Sequence, residues 1–241
     1  MTTTTTTIPK RALNAAASAA AVAVFAGLAW YGYDCVARQP VKRVTFAGST
    51  ARIPPESLDA LARTIQSAPP LLALATVRDA ARRMPWVRDA AVRRRFPDAV
   101  EVTLEVHEPL ARWNDAALVS TRGEVFAAAV DEPLPSFRGV DAAAPLMARQ
   151  YPALVAALAP LPSPIAELRL SARGAWQVKL ASGLELMLGR GDVEPRLARF
   201  VRAWPQLEAR GIAPRHADLR YPNGFALRGE PPRAAGQKAR T

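Results

Sequence analysis

The sequence predicts an α+β chain with a single N-terminal transmembrane helix, then a small β-α-α-β-β module, then a mostly antiparallel β domain with a packed C-terminal helix. Three observations lead there. An uncharged run extends from Ala12 to Tyr33. Two amphipathic helical stretches and a strictly alternating strand follow between Pro54 and Val106. After Trp113 the helical period fades into short apolar strands punctuated by Gly, Pro and Ser. At 241 residues, 50% hydrophobic and 22% charged, the chain is long enough for two small domains with their own cores. Cys35 is the single cysteine, which excludes an internal disulfide.

In chain order, residues 1–11 form a Thr-rich tail and residues 12–33 the span, since about 20 helical residues at about 1.5 Å each cross the roughly 30 Å hydrocarbon layer. Trp30, Tyr31 and Tyr33 sit at its C-terminal end, as interface-seeking aromatics do. Tyr33-Asp34-Cys35-Val36 lacks the small-x-small pattern of a cleavage site, which favours an uncleaved signal anchor over a signal peptide. The flanking charges, Lys10 and Arg11 before the span and Arg38, Lys42 and Arg43 after it, nearly cancel and do not decide orientation. A short tail stays in the cytoplasm while a long C-terminal region translocates largely regardless of its charge, so the bulk is expected outside.

Residues 41–109 are read as the first soluble domain. Val41, Val44 and Phe46 mark a strand ending at Gly48, and Pro54-Pro55-Glu56 opens a helix whose Leu58, Leu61, Ala62 and Ile65 share one face. A second helix begins near Thr76, taken with Asp79 as a capping arrangement, and repeats the spacing at Val77, Ala80, Ala81 and Met84 until Pro85. Trp86 to Arg94 reads as a strand and Phe96-Pro97-Asp98 as a turn. Val100, Val102, Leu104 and Val106 then alternate with Glu101, Thr103, Glu105 and His107, so the arginines of the preceding strand are expected to pair with Glu101 and Glu105.

Residues 110–228 are read as the β domain. Leu118–Ser120 and Val125–Ala127 flank a hairpin turn at Thr121-Arg122-Gly123-Glu124, and a helical patch lies around Pro145 to Leu158. Ile165, Leu168 and Leu170, then Trp176, Val178 and Leu180, then Leu184, Leu186 and Leu188 mark three meandering strands. Gly189-Arg190-Gly191-Asp192 reads as a strand-to-helix turn with Asp192 as N-cap. The following helix carries the stripe Val193, Leu197, Phe200, Val201, Trp204 and Leu207. Ala217–Tyr221 and Phe225–Arg228 are the last strand-like pieces, and residues 229–241 read as a disordered tail. A terminal strand at a sheet edge leaves N–H and C=O groups to which another chain adds its own strand.

Catalysis finds little to work with. His107 and His216, the two histidines, stand far apart without Cys or acidic neighbours at metal-ligand spacing. His107 and Glu108 are adjacent strand residues and point to opposite faces, and Ser171 and Ser182 sit in plain turns without a nucleophile elbow. The net charge of +11 is dispersed along the chain, with only Arg93 to Arg95 clustered, and dispersed charge without interleaved aromatics argues against nucleic-acid binding. No enzyme, cofactor, metal or small-molecule substrate is expected.

The span, the β-α-α-β-β order, Pro85-Trp86-Val87 with Ala90, Val92, Arg94, Phe96-Pro97-Asp98, Glu108, Pro109 and Ala111-Arg112-Trp113-Asn114 together resemble the FtsQ/DivIB cell-division family. Gly123-Glu-Val-Phe126, Leu197-Ala-Arg-Phe200 and Asp218-Leu-Arg-Tyr221 extend the resemblance over nearly the whole chain. It implies that the first domain is a POTRA domain and that the protein is a single-pass type II inner-membrane scaffold at the division septum. It further implies binding of FtsB and FtsL through the β-domain edge, at Arg173, Arg220, Tyr221, Asn223, Gly224 and Phe225. Other septal division proteins would bind the POTRA surface at Asp89, Val92 and Arg94. Phe225 departs from the family pattern, which commonly has a small residue there. The competing expectation is a membrane-anchored periplasmic POTRA protein of secretion or outer-membrane assembly, which would carry a β-barrel absent from the strand pattern here.

Overall fold

The computed structural model describes residues 10–37, 41–68 and 74–229, with side chains in the first helix described for residues 18–34. The chain divides into two compact units, Met1–Val106 and His107–Thr241. The expected tail from residue 230 onward lies outside the described residues.

In the first unit, helix α1 (Lys10–Ala37) carries Val22, Val24, Phe25 and Leu28 at 62–76% exposure. Among the described residues, no helix is long and apolar enough to cross a membrane. The uncharged run begins at Ala12, ahead of Ser18, the first residue of α1 whose side chain is described.

The module that follows is built from β1 (Arg43–Gly48), α2 (Pro55–Ser67), α3 (Leu74–Arg82), β2 (Val87–Arg95) and β3 (Ala99–Val106). Strand β3 is central, parallel to β1 and antiparallel to β2. Its alternation explains why: Val100, Val102 and Leu104 are at most 2% exposed and form a core with Leu61, Ile65, Val77 and Ala81. Burying each such Val, Leu or Ile contributes about 1.5–3 kcal/mol. Pro55 occupies the first turn of α2, as its missing N–H allows. The expected cap at Thr76 is corrected, because α3 already runs from Leu74 and places Thr76 inside the helix. The expected cross-strand pairs form, with Arg95 Nε 2.8 Å from Glu101 Oε2 and Arg88 Nη1 3.1 Å from Glu105 Oε1.

The second unit runs β4 (Pro109–Trp113), β5 (Ala117–Ser120), β6 (Val125–Phe126), β7 (Ser136–Arg138), α4 (Ala144–Leu158), β8 (Ile165–Leu170), β9 (Trp176–Leu180), β10 (Glu185–Gly189), α5 (Glu194–Ala209), β11 (Pro214–Asp218) and β12 (Ala226–Gly229). These strands form one sheet in the order β12-β11-β10-β9-β8-β7-β4-β5-β6. The sheet is mixed, with parallel pairings β4–β7, β7–β8 and β10–β11 among antiparallel ones. The three-strand meander expected over β8, β9 and β10 forms, antiparallel throughout. The parallel pairings of β7 and β11 join strands remote in sequence, which local alternation does not reveal.

Helices α4 and α5 cover one face, burying Met147, Leu154, Leu158, Leu197 and Phe200 against Leu168, Val178, Leu180, Leu186 and Leu188. Helix α5 starts without the expected Asp192 cap, since Val193 occupies the N-cap position and no side chain bonds there. The motif Ala111-Arg112-Trp113-Asn114 is structural. Trp113 is buried and its indole N–H donates to Asp141 Oδ1 at 2.7 Å, while Asn114, at φ 47°, exchanges side-chain hydrogen bonds with Gly139 O at 2.9 Å and Gly139 N at 3.1 Å.

Candidate functional site

Among the described residues, strand β12 is an edge, paired to β11 through Pro214↔Gly229, His216↔Arg228, Ala217↔Leu227 and Asp218↔Ala226. The segment leading into it is where the expected contact residues fall, and its conformation differs from the sequence expectation. Ala217 to Tyr221 was expected as one strand, but β11 stops at Asp218 and Arg220 to Phe225 form the connection to β12. Leu219 still donates its N–H to Met187 O at 2.9 Å. Arg220 then donates its backbone N–H to Asp218 Oδ1 at 3.1 Å, a local side-chain bond that takes the chain out of the ladder.

Three contacts hold the connection. The Arg220 guanidinium grips Asp218 through both prongs, Nε to Oδ1 at 2.8 Å and Nη2 to Oδ2 at 2.6 Å. From α5, Arg199 Nη1 donates to Tyr221 O at 3.0 Å and to Gly224 O at 3.3 Å. Phe225 packs edge-on against Phe200, ring centroids 5.4 Å apart. Phe225 therefore packs on the core within the connection, ahead of β12, and is not part of the strand as expected.

Tyr221 is left 54% exposed. It lines a groove of about 360 Å³ beside β12, together with His216, Asp218, Arg220 and Arg228. Across the open face of the sheet, Glu167, Lys179, Glu185, His216 and Arg228 stand in register on five successive strands. His216 Nε2 lies 3.0 Å from Glu185 Oε2. Arg173 is exposed in the turn joining β8 to β9 and forms no hydrogen bond or ion pair among the described residues. Chemically the groove offers a phenol, the Arg220 guanidinium held by Asp218, the exposed Arg228 and, among the described residues, a sheet edge, which suit an extended, charged polypeptide. Among the described residues, no group of His, Cys, Asp or Glu side chains can hold a metal ion.

Sequence reasoning missed Arg199, although it sits inside the quoted motif Leu197-Ala-Arg-Phe200. The motif was visible; the two carbonyls it serves are over twenty residues away. Asp218 was missed in the same manner, inside Asp218-Leu-Arg-Tyr221. The Arg220 guanidinium holds the Asp218 carboxyl below its ordinary value of 3.8. A lowered folded-state pKa contributes stability that is present above the ordinary carboxylate range and lost as pH falls through the lowered value. Asp218→Asn should therefore reduce the loss of stability on acidification below about pH 4, measured by chemical unfolding at stepped pH.

The first unit presents β2 as one edge of its sheet. Asp89 accepts the Ala90 N–H at 2.8 Å and faces Arg78 at 3.2 Å and Arg82 at 3.1 Å on α3; the Ala90 bond first, then Arg78, holds its carboxyl below the ordinary range. Val92 is half-buried opposite Val102, and Arg94 is half-buried opposite Val100 with its guanidinium 5.6 Å from the Phe96 ring. All three expected residues lie on this one strand, with Asp89 already engaged by α3.

A three-stranded module with two helices on one face, joined in the order β-α-α-β-β, defines a protein of the POTRA class. Residues 39–106 match the family described as POTRA domain, FtsQ-type, and residues 111–220 match Cell division protein FtsQ/DivIB, C-terminal. The chain is 37% identical over 208 residues to the cell division protein FtsQ of Neisseria gonorrhoeae, covering 85% of each. It is 37% identical over 212 residues to that of Xanthomonas campestris pv. campestris, covering 86% of this chain and 74% of the relative. To that of Burkholderia pseudomallei it is 45% identical over 153 residues, 60% of this chain. The matches span 61% of the Burkholderia protein's length and 63% of that from Nitrosospira multiformis. The chain belongs to the FtsQ family of cell division proteins.

Proposed function

We propose that the chain is a non-catalytic, bitopic scaffold of the division septum, linking early cytoplasmic division components to late extracytoplasmic ones. In this reading α1 is the inner-membrane anchor, the N-terminus is cytoplasmic and both folded units are periplasmic. A helix of 28 residues is roughly 42 Å long. That length, the uncharged run from Ala12 to Tyr33 and the aromatic cluster at Trp30, Tyr31 and Tyr33 support a span. The POTRA unit binds recruitment partners along β2, around Asp89, Val92 and Arg94.

The β12 edge captures FtsB, itself joined to FtsL, by strand addition. The observation that carries this reading is a free edge strand beside an exposed Tyr221 whose backbone is fixed by Arg199. Arg220 meets an acidic residue of the partner while remaining oriented by Asp218, and Asn223 and Gly224 complete the connection. Arg173 contributes a further exposed cation from the β8–β9 turn.

The test is titration of the purified chain with an FtsB peptide. Arg220→Glu with Tyr221→Ala should weaken binding by at least about tenfold, as expected for an aromatic and arginine pair at an interface. Because Arg220→Glu also breaks the grip on Asp218, melting is recorded in parallel and affinities are compared where both proteins are folded. An unchanged affinity would sink the edge-capture reading.

A further inference from the structure

We infer that the tip of the β2–β3 hairpin is a membrane-contact rim, in which Phe96 enters the bilayer interface and the surrounding cations bind anionic phospholipid headgroups. This rests on the reading of α1 as the membrane anchor.

The tether is short. Helix α1 ends at Ala37 and the described chain resumes at Val41, so at no more than about 3.6 Å per residue the module begins within roughly 14 Å of the helix end. The part of the module at that point is the hairpin tip. Lys42 N and Arg43 N donate to Asp98 O at 2.8 and 3.2 Å, which ties the start of β1 to the β2–β3 turn. The far ends of β1 and β3, at Gly48 and Val106, lie a strand length away.

The chemistry at the tip fits a charged lipid surface. Phe96 is 56% exposed and has the Arg94 guanidinium 5.6 Å from its ring centroid. Arg43 stands opposite Ala99, which stands opposite Arg95, so the two arginines share the sheet face away from the helices, and Arg93 lies on that face two residues on. Arg95 pairs with Glu101 yet remains 65% exposed. Lys42, Arg43 and Arg93 are exposed and have no carboxylate within ion-pair distance among the described residues. Against these five cations the tip carries two carboxylates, Asp98 and Glu101. An exposed phenyl ringed by arginine and lysine is the composition of interfacial anchors, whose apolar part sinks to the headgroup level while the cations meet phosphate.

The test uses the full chain in lipid nanodiscs, on a Cys35→Ser background with a nitroxide at Phe96→Cys, its ring substituting for the phenyl. Collision with oxygen and with a water-soluble nickel chelate reports depth. With phosphatidylglycerol present, the label at position 96 should favour oxygen over nickel, relative to a label at Asp192→Cys. Each cation near the surface is worth about a fivefold gain in occupancy, so Lys42→Glu with Arg43→Glu should reduce the membrane-contacting population by more than about tenfold. A nitroxide at Leu28→Cys separates the two readings. If position 28 is deep and position 96 stays aqueous, the rim is overturned while the anchor stands; an aqueous position 28 overturns both. Immersion of position 96 that is equal in pure phosphatidylcholine, or indifferent to the charge reversals, overturns headgroup recognition.

Discussion

Phe200→Ala is expected to destabilise the second unit by about 3–5 kcal/mol, the range for removing a fully buried aromatic from a packed core. Phe200 is 0% exposed and lies where α5 meets the strands. Its ring has two aromatic neighbours, Trp204 with centroids 5.7 Å away and Phe225 at 5.4 Å. Deleting it removes buried area, leaves a cavity, and takes away an edge-on contact with Phe225 and a tilted one with Trp204, aromatic pairs being worth about 0.5–1.5 kcal/mol each. Urea unfolding should show a lower midpoint with little change in slope.

If the β12 edge captures FtsB as proposed, the consequence extends to binding. Phe225 fixes the connection between β11 and β12 from below, and Arg199 fixes it from the side. With the ring gone, the folded fraction of Phe200→Ala should bind an FtsB peptide more weakly than the native chain under conditions where both are folded. Equal affinity would show that the aromatic pair supports the fold without positioning the edge.

Gly123→Ala is the second large effect, expected to exceed about 3 kcal/mol because two mechanisms of destabilisation combine. Gly123 has φ of +81°, in the left-handed region that costs an L side chain roughly 1–2 kcal/mol. A Cβ there would also lie 2.3 Å from Pro145 Cα and 2.9 Å from Pro145 N. Both are backbone atoms at the start of α4, so no rotamer change relieves the overlap and the β5–β6 turn must shift. Ser120, buried beneath this turn, accepts the Arg122 and Glu124 N–H groups at 3.3 and 3.1 Å and would lose them in such a shift. Gly183→Ala is the matched control, with φ of +90° but open space where the methyl would sit. It should cost only about 1–2 kcal/mol. Thermal melting of the two variants side by side isolates the contribution of close packing against α4.

Much of this architecture was legible in the chain. The β-α-α-β-β order followed from local periodicity, and Val100, Val102 and Leu104 are buried as their alternation demanded. The stripe of α5 was equally plain, with Leu197 and Phe200 buried, because a helix face is set by residues three and four apart. The cap of α5 was not, since an aspartate before a helix signals a cap only if the backbone turns its side chain back onto it. The site was half legible. Ala217, Leu219 and Tyr221 alternate as a continuing strand would, and the departure after Leu219 depends on Arg220 bonding back to Asp218.

The sequence by itself determined the helices and the longer strands, which faces are apolar, and which family the chain resembles, the first two because they are carried by neighbours within one or two turns. Only the tertiary structure decided that β7 sits between β4 and β8, that β12 is left as the edge, and that Arg199 reaches Tyr221 and Gly224. Those outcomes turn on pairings between segments tens of residues apart. Their free energy comes from mutual burial and from backbone groups that must find partners somewhere, and local pattern does not say where.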